Sequence, residues 1–212
     1  MRDPVVIWGC GGQGRELSAL CQEIGLEVAG FLDERPEMKG RVVDDVPVLG
    51  DLGDITVLRD RVAIVCAGVG DPQLKRRFCE KTTAGGFRLA EPLVHPGVAM
   101  SRRCTLGPGA VVCAGCTLTI NVTIGAHALL NLNCTVAHDS RVGDFATLCA
   151  GVHVSGNVII GDGVFVGAGA VLRERTSVGA WSVVGANAFV RADVPAGVLV
   201  VGVPATVKRQ IR

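Results

Sequence analysis

The chain has no tyrosine, and aromatic residues make up only 4% of its 212 positions. A conventional globular core draws much of its buried area from aromatics. Here the apolar content, 49% of the residues, must come from aliphatic and small side chains. Charge of one sign is also lacking: 21 Lys and Arg face 20 Asp and Glu, a formal net charge of +1. That excludes the broad attraction behind non-specific binding to nucleic acid or a membrane surface. No apolar run reaches the roughly 18 residues that a membrane-spanning helix needs. The segment from Met1 to Pro4 leads at once into glycine-rich sequence and carries no signal-peptide core, which points to the cytoplasm. The nine cysteines are odd in number and scattered, so a disulfide framework is not expected.

What the chain does have is an aliphatic residue at a fixed interval. From Val94 to Val190 every sixth residue is aliphatic, through Leu106, Leu118, Leu130, Val142, Val154, Val166 and Val178, without an insertion. The fifth position of each six is small or β-branched, as in Ala110, Cys116, Val122, Cys134, Ser140 and Ala170. The second is often glycine, as in Gly107, Gly125, Gly143, Gly161 and Gly167. A period of six signals a β-helix. Each six is a short strand and a turn, with the aliphatic residue inside, and coils stack because one coil cannot bury its own core. The second-position glycines suit turns that need a positive φ. The pattern resembles the left-handed hexapeptide β-helix, in which three sixes make a coil and residues 18 apart stack. Cys113 and Cys116 form a CxxC pair, which elsewhere suggests metal or redox chemistry. Cys116 is instead a fifth-position residue, like Cys104 and Cys134, and reads as a small hydrophobe. Cys113 and Cys149 are expected to be partly exposed.

Residues 1–93 read as a separate α/β unit, ahead of the β-helix at 94–212. Pro4 to Cys10 is a buried strand. Gly9-Cys-Gly11-Gly12-Gln-Gly14 follows, then a helical pattern from Arg15 to Gly25, then a strand from Glu27 to Leu32 that ends at Asp33. Strand, glycine-rich turn, helix, strand and acid is the nucleotide-binding arrangement, whose turn amides and helix N-terminus suit a phosphate. Gly11, Gly12 and Gly14 would approach phosphate or base, and Asp33 the ribose or uracil. Val46 to Gly50 is a loop or short strand, and Val62 to Cys66 a buried strand. Gly70-Asp71-Pro72 opens a helix with Asp71 as cap. That helix carries Leu74 and Phe78 on its apolar side and Lys75, Arg76 and Arg77 on a basic face. Gly70 and Asp71 are further nucleotide contacts. The unit has the size of one mononucleotide-binding half.

Several stretches together resemble one family. They are Gly9 to Gly14, Phe31-Leu-Asp-Glu34, Gly70-Asp71, Leu93-Val-His-Pro96, Asn131 to Gly143, Gly156-Asn-Val158 and Gly202-Val-Pro-Ala205. They are similar to the sialic acid O-acetyltransferase-like sugar O- or N-acyltransferases, most closely the branch acting on a UDP-linked 4-amino sugar in bacillosamine synthesis. The resemblance implies a small Rossmann-like N-terminal α/β domain that holds a nucleotide sugar, followed by a left-handed parallel β-helix. It implies a homotrimer with acetyl-CoA in a groove between neighbouring β-helices, and no metal. It implies His138 as the base with Asp139 beside it, Asn131 at the sugar, and acetyl-CoA contacts from Gly156, Gly167 and Lys208. Relatives often carry a second histidine nine residues after the base; here Thr147 stands there. The activity implied is N-acetylation of a nucleotide-linked amino sugar, with O-acetylation of a sugar hydroxyl as the alternative.

Acyl transfer from a thioester needs a proton acceptor for the attacking group and donors for the carbonyl oxygen. A neutral imidazole serves the first need, and a carboxylate can orient it. His138 is a third-position residue and should face outward. Gly156 lies 18 residues on, stacked beside it, and its N–H is a candidate oxyanion donor. His95 reads as structural, and His127 and His153 as outward-facing. The spacing of His127, His138 and His153 does not follow the 18-residue stacking, so a zinc lyase on the same fold is not expected. The short N-terminal unit argues against a dinucleotide oxidoreductase, which leaves a non-catalytic nucleotide-binding scaffold as the other alternative. The tail with Lys208, Arg209 and Arg212 is either a solvated end or a cap that lends charge to a phosphate-bearing ligand.

Overall fold

The computed structural model describes residues 3–211; the readings that rest on Met1, Arg2 and Arg212 lie outside the described residues. The chain divides into two compact units, Met1–Leu93 and Val94–Arg212.

The first unit is built on one six-stranded sheet. Its strands are β1 (Val5–Trp8), β2 (Val28–Leu32), β3 (Val42–Val43), β4 (Val46–Gly50), β5 (Ala63–Val65) and β6 (Arg88–Leu89), in the order β3-β4-β2-β1-β5-β6. All pairings are parallel except the β3–β4 hairpin. β1 lies at the centre and all four of its residues are buried, as befits a parallel strand covered on both faces. Helix α1 runs Gly12–Glu23, so it starts inside the glycine-rich turn, earlier than the sequence pattern implied. A Cβ on Gly14 would sit 1.8 Å from the Gly9 carbonyl oxygen. Only glycine lets α1 lean this closely on the turn.

Helix α2 runs Pro72–Ala84, and the Asp71 carboxylate accepts from the Leu74 N–H at 2.8 Å. Its phase corrects the expected basic face. Lys75 is fully buried and Leu74 is 37% exposed. Lys75 precedes Phe78, Cys79 and Thr82 by three, four and seven positions, which puts it on their helix face, and all three are buried. Phe78 stacks on Trp8 with ring centroids 4.3 Å apart, and the Trp8 indole donates to Thr82 Oγ1 at 2.9 Å.

The second unit is a left-handed parallel β-helix. Its strands are two residues long and pair in parallel with the strand 18 residues on: Leu118 with Val136, Val136 with Val154, Val154 with Leu172. From Val112 to Val190 the first-position side chains are 0–2% exposed. Burying each contributes about 1.5–3 kcal/mol. Met100, in the first coil, remains 40% exposed. The fifth-position residues are small because the walls meet there. Among them Ser140 and Ser182 keep their hydroxyls satisfied by bonding backbone of the next coil. The Cys116 and Cys134 thiols donate to the Asn131 and Cys149 carbonyls at 3.1 and 3.2 Å. All nine cysteines are free thiols, and Cys113 is buried rather than partly exposed.

The turn chemistry differs from expectation. The positive φ belongs to the fourth position of each six, through Gly109, Asn121, His127, Asn133, Asp139, Phe145, Asn157, Gly163 and Trp181. The second-position glycines have ordinary φ. They are glycine because the next coil is too close: a Cβ on Gly167 would lie 2.5 Å from the Ala186 nitrogen, and one on Gly161 2.7 Å from the Ala180 nitrogen. At the C-terminal end, Val198–Val201 pairs in parallel with the strand Val183–Val184. Thr206–Gln210 folds back on it antiparallel, so the tail is a regular but wholly exposed strand.

Candidate active site

One corner of the β-helix carries the chemistry. His138 occupies the third position of its six and Asp139 the fourth, where φ is +60°. The left-handed turn swings the Asp139 side chain back toward its neighbour. Asp139 Oδ2 lies 2.9 Å from His138 Nδ1. Both side chains face outward, 56% and 46% exposed. The other oxygen of the carboxylate, Oδ1, accepts from Asn121 Nδ2 at 2.9 Å. Asn121 lies one coil earlier, 18 residues back. The Asn121 amide, and after it the His138 ring, hold the Asp139 carboxyl below the usual carboxylate range.

The far side of the ring meets the next coil. A Cβ on Gly156 would stand 2.4 Å from His138 Nε2 and 2.5 Å from Cε1. The imidazole therefore lies over the Gly156 Cα, and glycine is what leaves room for it. Backbone bonds hold the two coils in register: Asn157 N donates to His138 O at 2.9 Å. Ser140 Oγ donates to Ser155 O at 2.8 Å and accepts from Val158 N at 3.0 Å. The segment around Gly156 is thus pinned from both ends by a buried serine. The Gly156 carbonyl accepts from Arg175 N.

The first unit holds a cavity of about 450 Å³, lined by Gly9, Gly11, Gly12, Asp33, Arg35 and Gly70 among others. It lies at the C-terminal ends of β1 and β2, beside the N-terminus of α1, where an open α/β sheet binds its ligands. Gly11, Gly12 and Gly70 have open space where a Cβ would be. Gly14 does not line the cavity; its role is the close packing of α1. Asp33 is also not open to a ligand. Arg35 donates to both its oxygens, at 2.8 and 2.9 Å, and the Cys10 N–H and thiol donate to Oδ2. The Arg35 guanidinium, helped by Cys10, holds the Asp33 carboxyl well below the usual carboxylate range despite its burial. The group presented to the cavity is thus Arg35, which is more than half exposed. Arg77, paired with Glu34, adds a second cation on the same cavity. Asp71 lines it too, with one oxygen used in capping α2.

The remaining expected residues lie as follows. The Asn131 side chain accepts from the Leu132 N–H at 2.7 Å, a local turn bond. Thr147 is buried at 2% exposure, on a stacked face where Val111 and Leu129 are also buried, so its hydroxyl does not reach an acyl donor lying on the outer surface. Gly167 is a coil-stacking glycine. Lys208 stands on the exposed C-terminal strand. His95 Nδ1 accepts from the Gly97 N–H. His153 bonds Thr135 Oγ1 and is exposed. His127 departs from expectation: it is buried, stacked against Phe145 over the space left by Gly109. Among the described residues no three His, Cys, Asp or Glu side chains are grouped to hold a metal, and no helix is long and apolar enough to cross a membrane. Sequence reasoning missed Asn121, Arg35 and Ser140.

Two family models match the chain: the PglD N-terminal domain over residues 4–82, and the bacterial transferase hexapeptide (six repeats) over residues 157–192. No curated protein matches it. Among solved structures, PerB from Caulobacter crescentus, in complex with CoA and GDP-perosamine, is 31% identical over 99% of both chains with a TM-score of 0.89. A single-residue variant of the same organism's perosamine N-acetyltransferase, with the same two ligands, is 30% identical over 99% of both chains, with a TM-score of 0.90. The acetyltransferase domain of PglB from Neisseria gonorrhoeae, solved with acetyl coenzyme A, is 28% identical over 98% of this chain and 100% of its own, with a TM-score of 0.86.

Proposed function

Since the chain belongs to the hexapeptide-repeat sugar acyltransferases, we propose that it N-acetylates an amino sugar carried on a nucleotide, with acetyl-CoA as donor and His138 as general base. The observation that carries this reading is the line Asn121–Asp139–His138–Gly156 across three coils, which ends in an outward-facing imidazole nitrogen.

With its proton on Nδ1, toward Asp139, His138 has its lone pair on Nε2. A neutral sugar amine attacks the thioester carbonyl carbon and forms the new C–N bond. Nε2 takes the proton that the nitrogen must lose. As the tetrahedral intermediate collapses the C–S bond breaks, and the imidazolium returns the proton to the departing thiolate. The products are the amide and CoA thiol, with His138 restored. The carboxylate of Asp139 stabilises the transient imidazolium. The Gly156 N–H donates no hydrogen bond among the described residues and serves the oxyanion. Bonds to the substrate carboxamide or amine then form only as charge develops, which is what lowers the barrier.

The cavity of the first unit takes the nucleotide. Its α1 N-terminus and the Gly11 and Gly12 amides suit the diphosphate, with Arg35 and Arg77 as cations. N-acetylation rather than O-acetylation is favoured by the PerB complexes, whose sugar is GDP-perosamine. The donor lies between β-helices of a homotrimer; exposed apolar residues such as Ile159 at 55% and Leu132 at 41% suit such an interface. An active monomer in light scattering would refute that arrangement. Both substrates are soluble metabolites, which supports a cytoplasmic site of action.

The test is thiol release from acetyl-CoA against GDP- and UDP-linked amino and hydroxy sugars, with His138→Ala in parallel. Turnover confined to an amino sugar and lost in the variant is the expected result. Release from a hydroxy sugar alone would transfer the reading to O-acetylation. Undiminished release in the variant would remove His138 from the mechanism.

A further inference from the structure

Asn121 is the one member of the site corner that neither touches the histidine nor fills the core. It is a fourth-position residue with φ +56°, and asparagine is common at such corners because it tolerates the left-handed region. The other corner asparagines behave differently. Asn133 and Asn187 turn their side-chain oxygens back over Gly115 and Gly169 of the preceding coil. Asn121 instead reaches forward to the following coil and donates to Asp139 Oδ1 at 2.9 Å. The backbone of the same turn supports the contact, since Asp139 N donates to Ile120 O at 3.0 Å.

The consequence for Asp139 is geometric. A carboxylate on a half-exposed side chain can rotate about its terminal bond with little restraint. With Oδ1 fixed by the Asn121 amide, Oδ2 is the oxygen left to face His138 Nδ1. A carboxylate ion only accepts, so the proton of a neutral His138 sits on Nδ1 and the lone pair on Nε2. We propose that Asn121 is a positioning residue for the transfer reaction: it holds Asp139 so that Asp139 keeps His138 in the Nδ1-protonated tautomer with Nε2 ready to accept. The proposal rests on the acyl-transfer reading above.

The test uses Asn121→Gly in the full chain. Glycine removes the amide and suits the left-handed backbone, so the fold is retained. One readout is the ¹⁵N spectrum of His138 in the neutral-ring range, which reports the tautomer without any substrate. Asn121→Gly is expected to lose the preference for the Nδ1-protonated form. The second readout is kinetic: kcat falls about tenfold, the order expected for one hydrogen bond to a charged group, while KM for both substrates stays within about twofold. In an Asp139→Ala background the same substitution has no further effect on kcat, because Asn121 acts only through Asp139. An unchanged tautomer, an unchanged kcat, or an undiminished effect in the Asp139→Ala background each overturns the proposal. Wild-type activity in His138→Ala instead overturns the acyl-transfer reading on which it stands.

Discussion

Adding one methyl group at Gly156 tests whether the His138 ring must stand where it does. An alanine Cβ there would lie 2.4 Å from Nε2 and 2.5 Å from Cε1. Non-bonded heavy atoms settle at about 3.5 Å or more, so the ring must move by about 1 Å. The backbone itself accepts alanine, since Gly156 is not among the residues with positive φ. The ring is 56% exposed, so it can swing outward without disturbing the core. Stability should therefore stay near that of the parent; glycine-to-alanine changes at compatible positions even gain about 0.4–1 kcal/mol. Catalysis should not survive so well. A displacement of about 1 Å in a reacting group can cost about 100-fold in rate, or about 2.7 kcal/mol of barrier. The assay is thiol release at saturating acetyl-CoA and sugar nucleotide, with thermal unfolding of the same preparation alongside. A stable Gly156→Ala protein with parental kcat would refute the claim that Nε2 acts from this position.

Other outcomes follow from the same geometry. Asp139→Asn keeps the shape but offers His138 a donor as well as an acceptor; kcat should fall by at least about tenfold with KM little changed, and equal kcat would separate Asp139 from the reaction. Gly161→Ala places a Cβ 2.7 Å from the Ala180 nitrogen, a backbone atom that cannot rotate away. It should lower the denaturant midpoint by about 1–3 kcal/mol in stability and leave the kinetics of the folded fraction intact. Arg35→Gln should sensitise the first unit to acid. The folded-state pKa of Asp33 is depressed, chiefly by Arg35, so its contribution is fully present above the unfolded value near ~3.9 and is lost as pH falls through the folded value. Without Arg35 that loss begins at higher pH, and identical acid-unfolding midpoints by circular dichroism would contradict it.

The period of six made the β-helix legible, because one requirement repeats at every coil: an aliphatic side chain must fill the interior. The same counting placed Gly156 next to His138. Applied in the other direction it also reaches Asn121, 18 residues before Asp139; the signal was present and went unread. The glycines were located correctly but explained wrongly. A sequence shows that a side chain is absent, and not whether the cause is a left-handed turn or a neighbouring coil too close for a Cβ. His127 failed for a related reason: its burial depends on the gap at Gly109 and the ring of Phe145, which no hydrophobicity pattern encodes. In the first unit Asp33 was legible as a strand-end acid. That Arg35 occupies it, two residues on in a loop, is a matter of rotamer and could not be read from spacing. Lys75 shows the same limit on a helix, where Phe78, Cys79 and Thr82 set the phase against its charge.

The uninterrupted register of the β-helix makes chain length equivalent to rotation angle. Each residue pair at the site corner, Asn121 with Asp139 and His138 with Gly156, is joined by one full turn of the screw. Deleting six residues between Asn121 and Asp139 would carry the asparagine onto a different side of the prism while leaving each coil's interior pattern intact. Deleting 18 would bring another residue into its place with the phase restored. A site of this kind is protected against substitutions that respect the interior, yet is dismantled by any insertion or deletion that is not a whole turn.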